Sequence, residues 1–115
     1  MIEILQTINK ISDVNGCLIA ENNGIVIMSD LSSDVNEQTL AAETSSKLNE
    51  IKKTLSLFKV GKLKRCILTG NQGSYLFSNI GNAFLVILIR KNANIGYVQI
   101  EAERHLDELR EKMKL

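Results

Sequence analysis

Three apolar runs in the second half of this chain are separated by turns too short for anything but reversal. Lys64 to Thr69 leads into Gly70-Asn71-Gln72-Gly73, Ser74 to Ile80 leads into Gly81-Asn82, and Ala83 to Arg90 follows. Parallel neighbours need a crossover of a dozen or more residues, so strands joined this closely form an antiparallel meander. The last run is apolar from Ala83 through Ile89, where a half-exposed strand would alternate. It is therefore expected at the centre of a sheet covered on both faces.

The covering has to come from helices, and the rest of the chain supplies them. Met1, Ile2, Leu5 and Ile8 recur at helical spacing and predict a short helix over residues 1–12. Cys17 to Ala20 and Ile25 to Met28 flank Asn22-Asn23-Gly24, a hairpin signal because Asn and Gly tolerate positive φ. Asp34 with Glu37 three places on reads as a capping pair, with Ser33 as the alternative cap. Leu40, Ala41, Thr44, Leu48, Ile51, Leu55 and Phe58 keep gaps of three and four, predicting one long amphipathic helix at roughly 34 to 58. Gly61 lies just past its end. Asn92 or Asn94 opens a final helix with its stripe at Ile95, Val98, Ala102, Leu106, Leu109 and Met113. The order is helix, two strands, helix, three strands, helix. The expected class is α+β, a five-stranded antiparallel sheet sandwiched between helices.

Composition narrows the function. No proline and no low-complexity tract marks a linker, so one domain over residues 1–115 is expected. Fourteen basic side chains oppose thirteen acidic ones, which gives no strong attraction to nucleic acid or to anionic lipid. Three Phe, two Tyr and no Trp offer few rings for stacking bases. Cys17 and Cys66 sit in apolar runs without metal-ligand spacing and are expected to be two buried thiols in a reducing cytosol. The start Met-Ile-Glu-Ile-Leu has Glu3 where a signal peptide carries Lys or Arg. The longest apolar run is about a third of a membrane span. A soluble cytoplasmic protein without direct membrane insertion is expected. His105 stands alone in a polar helix, and Gly70 to Ser74 lacks the Lys-Ser or Lys-Thr pair of a phosphate loop. No catalytic residue, metal or cofactor is expected.

Two features point to self-association. Ala41, Ala42, Ser45 and Ser46 are small and cluster near the start of the long helix, where a second helix could approach closely, or where this helix crosses its own sheet. The strand Lys64 to Thr69 is the natural edge of the meander; Lys64 and Arg65 protect it in part, and Cys66, Ile67 and Leu68 do not. The expected dimer interface comprises Ala41, Ala42, Ser45, Leu48, Lys64, Cys66, Ile67 and Leu68. Six cations cluster between Lys52 and Arg65, suited to an acidic protein surface or to phosphates, or else only to a solvated helix end.

In order along the chain, Val14-Asn15-Gly16-Cys17-Leu18-Ile19, Asn23 to Ser29, Glu37 to Ala42, Cys66 to Gly70, Asn71 to Tyr75, Phe84 to Leu88 and Ile95-Gly96 together resemble the Roadblock/dynein light chain domain, including its prokaryotic members. The family usually has Asp-Gly in the first hairpin; here it is Asn23-Gly24. The resemblance implies a profilin-like fold that pairs with itself or with a paralogous Roadblock protein. It places the long helices side by side and joins sheets through the strand Lys64 to Thr69. It also implies a scaffold for a Ras-like small GTPase, or a structural adaptor of the dynein-light-chain kind, and not an enzyme. Nucleic acid is not an expected partner. The exposed polar positions expected to meet such a GTPase are Glu37, Gln38, Ser45, Asn49 and Lys52.

Overall fold

The computed structural model describes residues 1–113. It comprises α1 (Ile2–Asn9), β1 (Val14–Glu21), β2 (Val26–Asp30), α2 (Glu37–Leu57), β3 (Arg65–Gly70), β4 (Gly73–Asn79), β5 (Ala83–Arg90) and α3 (Ile95–Lys112). The five strands form one antiparallel sheet in the order β2-β1-β5-β4-β3. The element order, the central place of β5 and the edge position of β3 are those expected from the sequence.

Alternation along β5 divides the core. Phe84 and Val86 join Leu18, Ala20, Phe77, Ala41 and Leu48 under α2. Leu85, Ile87 and Ile89 join Cys17, Ile19 and Leu76 under α1 and α3, against Leu5, Ile8, Val98 and Leu106. Phe77 and Phe84 are wholly buried, so truncating either to Ala would cost about 3–5 kcal/mol.

Local chemistry moves three boundaries. α2 starts at Glu37, later than expected, because Asn36 is its cap: the Asn36 Oδ1 accepts from the Thr39 N–H at 2.8 Å. Asp34 is instead engaged by the Ser32 hydroxyl in the preceding turn. At the other end the reversal falls on Lys59, not Gly61. Lys59 has φ 57°, its N–H reaches Ser56 O at 3.1 Å, and the Val60 N–H reaches Leu55 O at 2.8 Å. This is the Schellman pattern with a non-glycine residue in the left-handed position. In the first hairpin only Gly24 has positive φ (92°), so the loop is three residues closed by the Glu21–Ile25 pair, not a two-residue Asn-Gly turn. α3 opens at Asn94, whose Oδ1 accepts from the Tyr97 N–H at 3.0 Å.

Among the described residues no helix is long and apolar enough to cross a membrane.

The β3–β4 turn is the tightest point of the meander. Gly73 has φ 153°, and a Cβ there would lie 2.7 Å from the Ile89 carbonyl oxygen of β5. Gly70, across the same turn, has ordinary space around it. We expect Gly73→Ala to lower the unfolding free energy by roughly 1–3 kcal/mol and Gly70→Ala to change it by less than about 0.5 kcal/mol, measured by urea denaturation.

Candidate interaction surface

The connection from β2 to β3 runs from one edge of the sheet to the other. β2 ends at one edge and β3 starts at the opposite one, so α2 has to span all five strands. Twenty-one helical residues extend about 31 Å, whereas four strand spacings cover about 19 Å. The helix is longer than the sheet is wide.

Its first half is tied down. The Ser29 hydroxyl donates to the Glu37 carboxylate at the β2 edge. The Ser45 hydroxyl donates to Asn22 O at 2.6 Å above the first hairpin. The Thr44 hydroxyl bonds the Tyr75 hydroxyl over β4. Tyr75 stacks edge-on against Phe77 with centroids 5.6 Å apart, and burial raises its pKa against the lowering effect of the Thr44 bond. Beyond Leu48 no residue of α2 is fully buried. Ile51 and Leu55 are half-covered, and the end releases Leu57, Phe58 and Val60 at 75%, 69% and 69% exposure. Phe58, read from the sequence as part of the core stripe, is therefore a surface residue.

Two of the four small residues near the start of the helix serve the chain's own hairpin, and the other two, Ala42 and Ser46, are exposed. A Cβ on Gly24 would meet Ser45 Cβ at 3.3 Å and Ala41 O and Ala42 Cα at 3.5 Å. Ala41, Ser45 and Leu48 are buried within the subunit. Ser45, expected from the sequence to be an exposed polar position, is therefore buried, because its hydroxyl is engaged at the first hairpin. Glu37 is half-buried and engaged by Ser29, while Gln38 donates to Glu37 Oε1 at 3.4 Å. Ala42, Gln38 and Asn49 are exposed, and Lys52 is half-exposed.

The two sheet edges differ. Along β2 the register shifts by one residue at Ile27, and Asn9 Nδ2 donates to Asp30 O at 3.0 Å. A bulge and a capped carbonyl both blunt an edge. β3 runs unbroken through six pairs with β4, from Arg65 opposite Ser78 to Gly70 opposite Gly73, and its outer side has no strand beside it. Alternate residues of β3 face opposite layers. Cys66 and Leu68 lie on the α2 side, with Leu68 beside Tyr75 and 47% exposed. Ile67 packs towards α1 and α3, and Arg65 forms an ion pair with Glu103 of α3. Lys64 precedes the strand and is exposed. β3 thus presents a regular bare edge, and the helix end that leads into it exposes Leu57, Phe58 and Val60. Leu55, Leu57, Phe58 and Val60 cannot share one helical face, which is the sequence signal that some of them lie outside the core.

Among the described residues no group of three His, Cys, Asp or Glu side chains could hold a metal ion. Cys17 is buried, its thiol donates to Leu5 O at 3.4 Å, and burial pushes its pKa up to about 12. Cys66, expected to be buried, is only half-covered because it sits on the bare edge, and partial burial raises its pKa as well.

The Roadblock/LC7 domain family model matches residues 2–89. An uncharacterized protein of Methanocaldococcus jannaschii is 25% identical over 107 residues, which span 93% of this chain and 94% of that one. Among solved structures, Myxococcus xanthus MglB matches with a TM-score of 0.92 at 17% identity, covering 97% of this chain and 93% of its own. MglB with a tetrameric arrangement matches with a TM-score of 0.85 at 17% identity, covering 96% and 85%. At these identities the structural likeness is one of fold.

The thiols give a direct check on the edge. A maleimide should label Cys66 and leave Cys17 unmodified in the folded protein, as read by intact mass. A thiol whose folded pKa is raised keeps its proton after the unfolded one has lost it, so unfolding is increasingly favoured as pH rises. We expect stability to fall as pH climbs from about 9 towards 12, the span between the ordinary thiol value and that of Cys17.

Proposed function

The chain belongs to the Roadblock/LC7 domain family, and on that premise we propose that it is a homodimeric, non-enzymatic scaffold that binds a Ras-like small GTPase in the cytoplasm and biases its nucleotide state. The single observation that carries the reading is the regular open edge of β3, with Leu68 exposed on it and Leu57, Phe58 and Val60 exposed on the helix end that leads into it. An open edge is a template for another strand, and exposed side chains of this size give the pairing a hydrophobic component. β3 is favoured over β2 because its ladder is unbroken. Antiparallel pairing of two β3 strands about Ile67 and Leu68 would place Arg65 of each chain at opposite ends of the junction. It would also bring Cys66 and Leu68 towards the other chain.

In such a dimer two α2 helices form one platform. Ala42, Gln38 and Asn49 are its outward positions and Lys52 its half-exposed flank; Glu37, held by Ser29, orients the N-terminal end. The partner's nucleotide state changes only if the platform binds one state more tightly. A tenfold preference corresponds to about 1.4 kcal/mol. No group of this chain enters the phosphoryl chemistry under this reading.

Light scattering on the purified protein should give the mass of two chains. A single-chain mass at tens of micromolar would reject the pairing. The double variant Phe58→Glu/Leu68→Glu should weaken association at least about 100-fold, equivalent to about 2.7 kcal/mol, while its thermal midpoint as a monomer shows that the fold is kept. Nucleotide-turnover assays with the small GTPases of the same organism should show about tenfold or greater change with the wild-type dimer and none with the double variant. A dimer that changes no turnover would leave it a structural adaptor.

A further inference from the structure

Charge is sorted along this chain in a way the near-zero total conceals. Between residues 11 and 46 there are six acidic side chains and no Lys or Arg. Between 51 and 100 there are eight basic side chains and no Asp or Glu, where an even spread would give about six acids. Because β1 and β2 lie on one side of β5 and β3 and β4 on the other, the sorting within residues 11–100 becomes spatial, an acidic β2 side and a basic β3 side, with α3 bringing Glu103 and Asp107 to the latter. Arg65 is neutralised by Glu103. Lys52, Lys53, Lys59, Lys62 and Lys64 form no ion pair among the described residues.

Three of these lysines surround a hollow. Lys52, Lys59 and Lys62, with Ser56, Leu63 and Asn79, line a concavity of about 590 Å³ between the end of α2, the connection to β3 and the end of β4. The connection is held in shape. The left-handed Lys59 and Gly61 fold it back, Leu63 is buried in the core, Asn79 Nδ2 donates to Leu63 O at 3.3 Å, and the Asn79 N–H donates to Lys64 O at 2.9 Å. The lysine stems therefore leave a fixed backbone. The helix dipole accounts for cations in the last turn only. Lys52 lies before that turn and Lys62 beyond the helix, so the dipole does not explain the set.

We infer that this hollow binds a phosphate-bearing anion. Lysine is a point-charge phosphate ligand, and several amino groups around one concavity suit a polyanion of small size better than the broad surface of a protein. Protein interfaces are depleted in Lys, and here every unpaired cation of the cluster is Lys. The lining holds no aromatic ring, so recognition is of the phosphate and not of a base. The Ser56 hydroxyl is a further donor at its wall. The phosphate could be free or carried by a lipid headgroup; the chemistry at the lysines is the same. This site is independent of the pairing proposed above, since Leu57, Phe58 and Leu68 do not line it.

The test is a titration of the full isotope-labelled chain with inorganic pyrophosphate, followed by amide chemical shifts. We expect saturable shifts at Ser56, Gly61, Lys62 and Asn79, and at least about tenfold weaker binding in Lys52→Gln/Lys59→Gln/Lys62→Gln, with no weakening in the control Lys10→Gln/Lys91→Gln. Vesicles of phosphatidylcholine with and without a phosphoinositide form the second arm. Retention by the phosphoinositide alone assigns a headgroup, and pyrophosphate binding without retention assigns a free phosphate. Shifts that do not saturate, equal weakening in the control, or binding of a polyglutamate peptide in the absence of any phosphate response would each overturn the inference.

Discussion

The structure depends on keeping β5 dry on both faces. Its side chains alternate between two cores, Phe84 and Val86 on one side, Leu85 and Ile87 on the other, and none of these four has appreciable contact with solvent. A strand of this kind is stable only inside a sheet, so β1 and β4 pair on either side of it. It also needs helices above and below, because a sheet face left open would expose several large apolar side chains at a cost of about 1.5–3 kcal/mol each. α1 and α3 cover one face, and α2 alone covers the other.

That single covering helix is the source of the functional surface. It has to travel from the β2 edge to the β3 edge, and hydrogen bonds to Ser29, Asn22 O and Tyr75 hold its first half over the sheet. Its excess length of about 12 Å beyond the sheet width comes out past Leu48, where burial ends. The Schellman turn at Lys59 then returns the chain to β3. The exposed apolar helix end and the lysine-lined hollow both lie on this last part of α2 and the segment that returns to β3.

Much of the architecture was legible because it rests on local signals. Short Gly and Asn turns dictated the meander, the unbroken run Ala83 to Ile89 its centre, and gaps of three and four the helices. The first hairpin was legible as an event but not as a turn type, since Gly24 alone takes positive φ. The α2 cap was misplaced because several Ser, Asp and Asn residues between Leu31 and Glu37 compete for one role, and Asp34 is occupied by Ser32. The surface was read less well. Of the four small residues of α2, Ala41 and Ser45 turn inward beside the chain's own Gly24 while Ala42 and Ser46 stay exposed, a division that residue size does not encode. Phe58 fitted the helical period of the core, yet periodicity describes a direction and not whether the sheet extends far enough to meet it.

By itself, then, the order of residues determined the elements, their succession along the chain and which strand lies innermost, because each follows from spacing over a few neighbouring positions. It also determined the separation of acidic and basic stretches. Only the tertiary structure decided which side chains of α2 are spent on the chain's own hairpin, which sheet edge is blunted by a bulge, and where three lysines meet around one hollow. These are distances between segments far apart in the chain, fixed by the length of a helix against the width of a sheet, and no local pattern encodes that comparison.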